Sequence, residues 1–377
     1  MEHKLIPVAC PNINERDGEL AREAALGAWG PDHYRFNATF EEMLARYVSV
    51  EHAVSLPHAT SGLHLALVAA GIGPGDEVIA PDVTWIASVA PIVQVGATPV
   101  FVDILQDTWC IDPRGVAAAI GPRTRAIIGV DLYGSVCDWP QLRAIADKHG
   151  LLLIEDAAEA LGSAVGNKRA GAFGDVSVFS FHGSKTVSTG EGGALLTSDP
   201  TLHSRVMRLR DHGRSPGDSS FLNDEIAFKY KMSAVTAAVG IAQMERVDHL
   251  VSNKRAIFAL YKDHLAELDG LTLNAEPVGT TNSFWMSTAV FDPALGIDKF
   301  MLKSEFFARG IETRPFFSPL STLGAFSKPD ACRLVLPSRP VGEAISRSGI
   351  NLPSGAGIGE EEVERVALAL RSVLGSA

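Results

Sequence analysis

The chain has 377 residues, 46% hydrophobic and 20% charged, with a net charge of −11. This is the balance of a folded enzyme of about two domains, and it excludes a disordered chain. No basic tract offsets the negative charge, so nucleic acid is not an expected partner, and an anionic substrate would need a local positive pocket.

In chain order, the opening stretch MEHKLIPVACPN lacks the apolar core and cleavage site of a secretory leader. No apolar run is long enough to span a bilayer; even ASVAPIVQVGATPVFVDIL is broken by Pro, Gln, Gly and Asp. A cytoplasmic location is expected. Cysteines at 10, 110, 137 and 332 form no C-x-x-C pair and are expected as reduced thiols, with no metal bound.

From about residue 50 to 200, short apolar runs alternate with helical patterns. HAVSL, DEVIAP, TPVFVDI, RAIIGVDL, LLLIED and VSVFSFH read as buried strands, rich in Val and Ile. The segments 61–71 and 138–150 read as helices, each ending in a glycine suited to a C-cap. Alternating strands and helices imply an α/β fold with a mostly parallel sheet, in which ligands bind beyond the carboxyl ends of the strands. Residues 211–225 read as a polar loop, followed by long helices. From 271, SFWMSTAVF, KSEFFARGIETRPFF and GEEEVERVALALRSVL suggest a smaller α+β unit. The expected division is a large domain with an N-terminal arm over 1–250 and a small C-terminal domain over 251–377.

Three short patterns carry no chemistry. GRSPG (213–217) has the spacing of a nucleophile elbow, but RLRDH rather than a buried strand precedes it. GIGPGD (71–76) follows a helix and reads as a turn, and HGSKT lacks the upstream glycine of a phosphate loop.

A stronger signal is a constellation. LLLIEDAAEA places Asp156 just past one buried strand, and FSFHGSKTVSTGEGGALL places Lys185 past the next. A structural ion pair is one reading. The other is a pyridoxal phosphate site, where the lysine forms a Schiff base with the aldehyde and the acid keeps the pyridine nitrogen protonated. Partial burial would help by lowering the amine pKa. Thr60 and Ser61, between a strand and a helix, together with Ser180, offer hydroxyls for the phosphate, and Trp85 offers a flat face for the ring. Each of these alone is better explained by ordinary packing; their chain order makes the joint case.

With these residues the sequence resembles the DegT/StrS sugar aminotransferases, which are fold type I pyridoxal phosphate enzymes. The resemblance runs from about residue 35 to the end. It is carried by GIGPGDEVIAP, GATPVFVDI, IEDAAEALGS, FSFHGSKTVSTGEGGALLT, KYKMSAVTAAVGIAQMERVD, IETRPFFSPL and NLPSGAGI. It implies that Lys185 is the Schiff-base lysine and then the general base, and that Asp156 pairs with the pyridine nitrogen. It also implies that Trp85 stacks on the ring and that Thr60, Ser61 and Ser180 hold the phosphate. A homodimer with shared sites is implied, the segment FKYKMS reaching into the partner's site.

The sequence departs from many relatives at three positions. Glu159 stands where a glutamine faces the phenolic oxygen, and this implies a shared proton. Lys229 stands where an asparagine reaches the partner's phosphate. Ala59 replaces the glycine before Thr60. His182 is open between strand-end packing and substrate contact, and Lys231 and Arg314 between anion contact and surface solvation.

A dehydratase branch of the family carries histidine at the lysine position, so Lys185 favours amino transfer, with L-glutamate as implied donor. RAIIGVDLYG, EDAAEALGS, FSFHGSKT and IETRPFF look most like perosamine synthases, which aminate C4 of GDP-4-keto-6-deoxymannose. That points to sugar synthesis for a surface polysaccharide, lipopolysaccharide included, or for a natural product. Amination of another keto sugar such as an octulosonate, or a non-catalytic sensor built on the same fold, are the alternatives.

Overall fold

A computed structural model describes residues 5–215, 217–328, 331–335 and 340–374. The first four residues of the stretch read for a leader, and the last three of the expected small domain, lie outside the described residues.

The apolar runs of the first half become strands because their β-branched and apolar side chains are buried on both faces of one sheet. Eight strands form it, in the order His52–Leu56, Gly193–Thr197, Val176–Ser180, Leu152–Asp156, Thr124–Val130, Glu77–Pro81, Thr98–Val102 and Arg333–Leu334. All neighbours are parallel except around Gly193–Thr197, which is antiparallel to both His52–Leu56 and Val176–Ser180. Apolar clusters cover the two faces. Phe40, Leu44, Ile127, Leu153, Trp139 and Phe181 belong to one; Leu65, Val78, Ile128, Ile154 and Val178 belong to the other.

Local signals set the helix ends. Asp138 accepts a hydrogen bond from the Gln141 N–H, and Gly150 takes φ +62° to end the helix Trp139–His149. The helix Ala59–Ala69 begins two residues earlier than its pattern suggests, so Thr60 and Ser61 lie in its first turn rather than before it.

A second sheet is wholly antiparallel, in the order Leu271–Leu273, Ser287–Phe291, Gly349–Leu352 and Arg314–Pro315. Helices Lys299–Ala308 and Glu360–Leu374 pack on it around Leu302, Phe306, Val363 and Leu370. Links between the two parts include the N-terminal arm, the strand Arg333–Leu334 and the pairing of Thr280–Thr281 with Ala164–Val165. The N-terminal arm bonds to the second part, the Ile6 N–H donating to Gly310 O at 2.9 Å and the Glu312 N–H to Ile6 O at 2.9 Å. Arg333–Leu334, in the half of the chain expected to be the smaller domain, extends the large sheet instead.

The register positions the site. Asp156 pairs with Val178 across the parallel ladder, so Asp156 and Ser180 end their strands at the same edge. The chain then turns, with the Lys185 N–H donating to His182 O at 2.8 Å, before Gly193–Thr197 returns through the sheet. Gly193 has a steric reason to be glycine: a Cβ there would stand 2.3 Å from the Ala59 nitrogen. The start of the helix Ala59–Ala69 is thereby seated against the sheet edge, beside that turn.

Candidate active site

A cavity of about 920 Å³ opens at this edge. Thr60, Trp85, Asp156, Glu159, Ser180, His182, Lys185 and Arg314 all line it, which brings together most of the residues singled out from the sequence.

At its floor Asp156 is buried and doubly held. Ser88 Oγ donates to Oδ2 at 2.7 Å and the Ala158 N–H to Oδ1 at 3.1 Å. Burial pushes the Asp156 pKa above the usual carboxylate range, opposed by these two donors and the Lys185 charge. Glu159, one turn on, accepts from Lys185 Nζ at 3.3 Å and from the Tyr133 N–H at 2.9 Å. Its pKa is also raised by burial, against the pull of Lys185. Lys185 is shifted the other way: burial lowers its pKa, and the two carboxylates only partly offset that. Its ammonium lies 3.6 Å from the centre of the Trp285 ring, and Trp285 is fixed by donating from Nε1 to Ser184 O at 2.8 Å.

Tyr133 takes φ +54°, an uncommon conformation for a non-glycine residue, and this aims its amide at Glu159. The wall above is aromatic. Tyr133 stacks on Phe317 with centroids 5.4 Å apart, and Phe317 lies 5.8 Å from Trp85. Trp85 is 57% exposed, leaving a ring face open to the cavity.

At the far end stands the first turn of Ala59–Ala69, with no side-chain cap on its N-terminal amides. Thr60 and Ser180 line the cavity beside it. Ser61 does not line it; its hydroxyl turns back to donate to His58 O at 2.6 Å. His182 is at the rim, its Nδ1 accepting from the Ser184 N–H at 3.3 Å and its Nε2 3.9 Å from Glu191. Lys229 and Lys231 lie outside this cavity, both bonded to Asp211, at 3.0 and 3.1 Å.

Sequence reasoning missed Ser88, Tyr133 and Trp285. Ser88 follows Trp85 closely enough for a hydroxyl search around that turn to find it. Trp285, in SFWMSTAVF, reads only as strand-flanking bulk, and Tyr133 gives no sign beyond the glycine after it.

A family model described as the DegT/DnrJ/EryC1/StrS aminotransferase family matches residues 11–371. The chain belongs to that family. The GDP-perosamine synthase of Caulobacter vibrioides is 38% identical to it, over 98% of this chain and 98% of that one. Among solved structures, DesI in the presence of its TDP-sugar product is 35% identical with a TM-score of 0.88, covering 99% of this chain and 94% of that one. The PLP form of the putative sugar aminotransferase Spr1654 from Streptococcus pneumoniae is 27% identical with a TM-score of 0.91, covering 99% of both chains.

This DegT/DnrJ/EryC1/StrS member is thus an aminotransferase that uses pyridoxal phosphate, on the fold expected from its sequence. The residues present fit that cofactor. An uncapped helix N-terminus suits a phosphate dianion, an open indole face suits an aromatic ring, and a buried carboxylate and an amine flank the space between. No described helix is long and apolar enough to cross a membrane.

Proposed function

We propose that the protein transfers the amino group of L-glutamate to a nucleotide-linked 4-keto-6-deoxy sugar, in the manner of a perosamine synthase, and works as a cytoplasmic homodimer. The observation that carries the chemistry is the convergence of Lys185 and Asp156 on one cavity, and the Caulobacter vibrioides relative supports the sugar class. Bound pyridoxal phosphate supplies an aldehyde carbon and an electron sink for the carbanion formed on deprotonating the amino donor.

The chain's own residues do the rest. Lys185 Nζ is the base that takes the proton from the donor carbon and returns it elsewhere; its lowered pKa keeps a fraction of the amine neutral. Asp156 holds a proton on the pyridine nitrogen, and Ser88 and the Ala158 amide keep the carboxylate ionised and aimed. Glu159 stabilises the ammonium whenever Lys185 is released and shares a proton with the phenolic oxygen otherwise. Trp85 covers one ring face, while Thr60, Ser180 and the first amides of Ala59–Ala69 bind the phosphate, Ser61 bracing that turn through His58. Lys229 and Lys231 act toward the neighbouring site of the dimer, and His182 contacts the sugar at the rim. Residues 1–250 form the cofactor-binding domain and 251–377 the smaller one, apart from the strand Arg333–Leu334 that the smaller one lends to the large sheet. The product belongs to surface-polysaccharide synthesis, lipopolysaccharide included.

The test is to incubate holoenzyme and L-glutamate with a panel of nucleotide-linked keto sugars and identify the products by mass. GDP-4-keto-6-deoxymannose should be aminated at C4. Amination only of a nucleotide-free keto sugar would overturn the substrate assignment.

A further inference from the structure

We propose that Arg314 is a shared anion anchor, binding a carboxylate of the amino donor in one half of the reaction and the diphosphate of the sugar nucleotide in the other. The inference rests on the transfer reaction proposed above and adds the residue that lets one cavity accept both substrates.

The two substrates share little shape: one is a small dicarboxylate, the other a sugar on a nucleoside diphosphate. They share negative charge. Among the described residues, the lysine and arginine side chains that line the cavity are Lys185, Lys299 and Arg314. Lys185 is engaged by Glu159 and the Trp285 ring. Lys299 is buried, and its ammonium donates to Phe316 O at 2.8 Å, Ser318 Oγ at 3.0 Å and Ser346 Oγ at 3.2 Å. An ammonium has three N–H donors, so Lys299 has none left for a ligand. Its role is to pin the helix Lys299–Ala308 to the cavity wall.

Arg314 differs from both. It is exposed, lines the cavity, and has no ion-pair or hydrogen-bond partner for its guanidinium among the described residues. Its strand is held by antiparallel pairing of Arg314 with Asn351, so its backbone is fixed while its side chain is free. It lines the same cavity as Lys185 and Tyr133, close enough for its charge to act on both. A guanidinium fork matches a carboxylate and a phosphate equally well, by two parallel N–H···O bonds. Because the donor product leaves before the sugar enters, one fork can serve the two anions in turn.

Arg314→Gln in the holoenzyme tests this, with Arg314→Lys as the conservative variant. Two readouts are needed: the L-glutamate concentration that half-bleaches the near-visible cofactor absorbance, with no sugar present, and the KM for GDP-4-keto-6-deoxymannose at saturating glutamate. Both should rise at least about tenfold, the scale of a charge-assisted bidentate contact. Turnover at saturation should stay within about threefold, since the lost contact is made equally in the ground and transition states. The lysine variant should recover part of both. A rise in only one of the two, or in neither, overturns the shared anchor. GDP as a competitor of the glutamate bleaching gives a measure that needs no sugar turnover. It should compete in the wild type and at least about tenfold less well in Arg314→Gln. If the wild type bleaches with glutamate yet aminates no keto sugar, the substrate reading fails while the GDP competition still decides the role of Arg314.

Discussion

At the cavity floor Lys185 is bonded to one carboxylate, Glu159, and feels the charge of a second, Asp156; outside the cavity a single carboxylate, Asp211, holds three cations, Lys229, Lys231 and Arg214. The ionisation of the two groups moves in opposite directions. Burial raises Asp156 and Glu159 and lowers Lys185, each toward its neutral form. At Asp211 desolvation raises the pKa, the side chain being only 16% exposed, but hydrogen bonds from Lys229, Lys231 and Arg214 together outweigh it and hold the pKa far below the usual carboxylate range. Both clusters set carboxylates against cations, so residue type alone does not decide which one can move protons near neutral pH. The deciding balance is between the water each charge has lost and the opposite charge it has gained.

The largest expected effect follows from the lysine on the buried side of this contrast. Lys185→Ala should abolish amino transfer and leave the cofactor bound without its near-visible, lysine-dependent absorbance band. Turnover by this variant at a rate near that of the wild type would remove Lys185 from the chemistry. Abolished turnover with cofactor retained would show that the buried cluster works through this amine rather than through the pocket alone.

Lys254 extends the comparison to a buried lysine without a carboxylate partner. It is 8% exposed, donates to Ser354 O, and has its pKa lowered by burial to about 8. Below about pH 8 it is charged in both folded and unfolded states, and the folded state bears the full desolvation cost. Between there and the ordinary lysine value near 10.4 the unfolded chain holds the extra proton, so the cost fades and stability rises with pH. Lys254→Met should therefore be more stable than the wild type at pH 7 by up to about 3 kcal/mol, less any packing mismatch. That advantage should shrink toward pH 10, as read from urea melts. An advantage independent of pH would show that Lys254 is not the buried cation described here.

Ser88 probes the donors that keep a buried acid ionised. Ser88→Ala removes the 2.7 Å bond to Asp156 and leaves the Ala158 amide. The folded-state pKa of Asp156, already raised, should move higher, so the acidic limb of the pH–rate profile shifts toward neutral pH. At pH 7 turnover should fall by about tenfold, the scale of one hydrogen bond to a charged group. A lower rate with an unmoved acidic limb would mean that Ser88 shapes the cavity without acting on Asp156.

The same physics decides what could be read from the sequence. Strands 77–81, 124–130 and 152–156 announce themselves because burial on both faces demands a short apolar core, VIA, AIIGV or LLI, a property of three to five adjacent letters. Asp156 and Lys185 are legible because one closes such a run and the other comes five residues after the end of the next. Ser88, 68 residues from Asp156, and Trp285, 101 residues from Ser184, acquire their roles only when strand order and register bring them together. Arg333–Leu334 is two residues long and carries no period at all, so its place at the end of the large sheet is invisible until the fold exists.

The smallest expected effect lies on the exposed side. Asp211→Asn leaves Lys229, Lys231 and Arg214 facing one another, which on bare Coulomb arithmetic would be severe. Lys229 is well solvated, however, at 57% exposed, and Lys231 and Arg214 each keep about a quarter of their surface in water, so water and salt screen part of the repulsion. The loss at pH 7 should be no more than about 1 kcal/mol, and smaller still in high salt. Because the folded pKa of Asp211 is depressed, its contribution is present above the ordinary carboxylate range and disappears as pH falls through the folded value, well into acid. Urea melts of the wild type and Asp211→Asn should therefore converge on acidification. A loss of several kcal/mol that salt does not touch would mean that this cluster, too, is shielded from water, and the distinction between the two regions would fail.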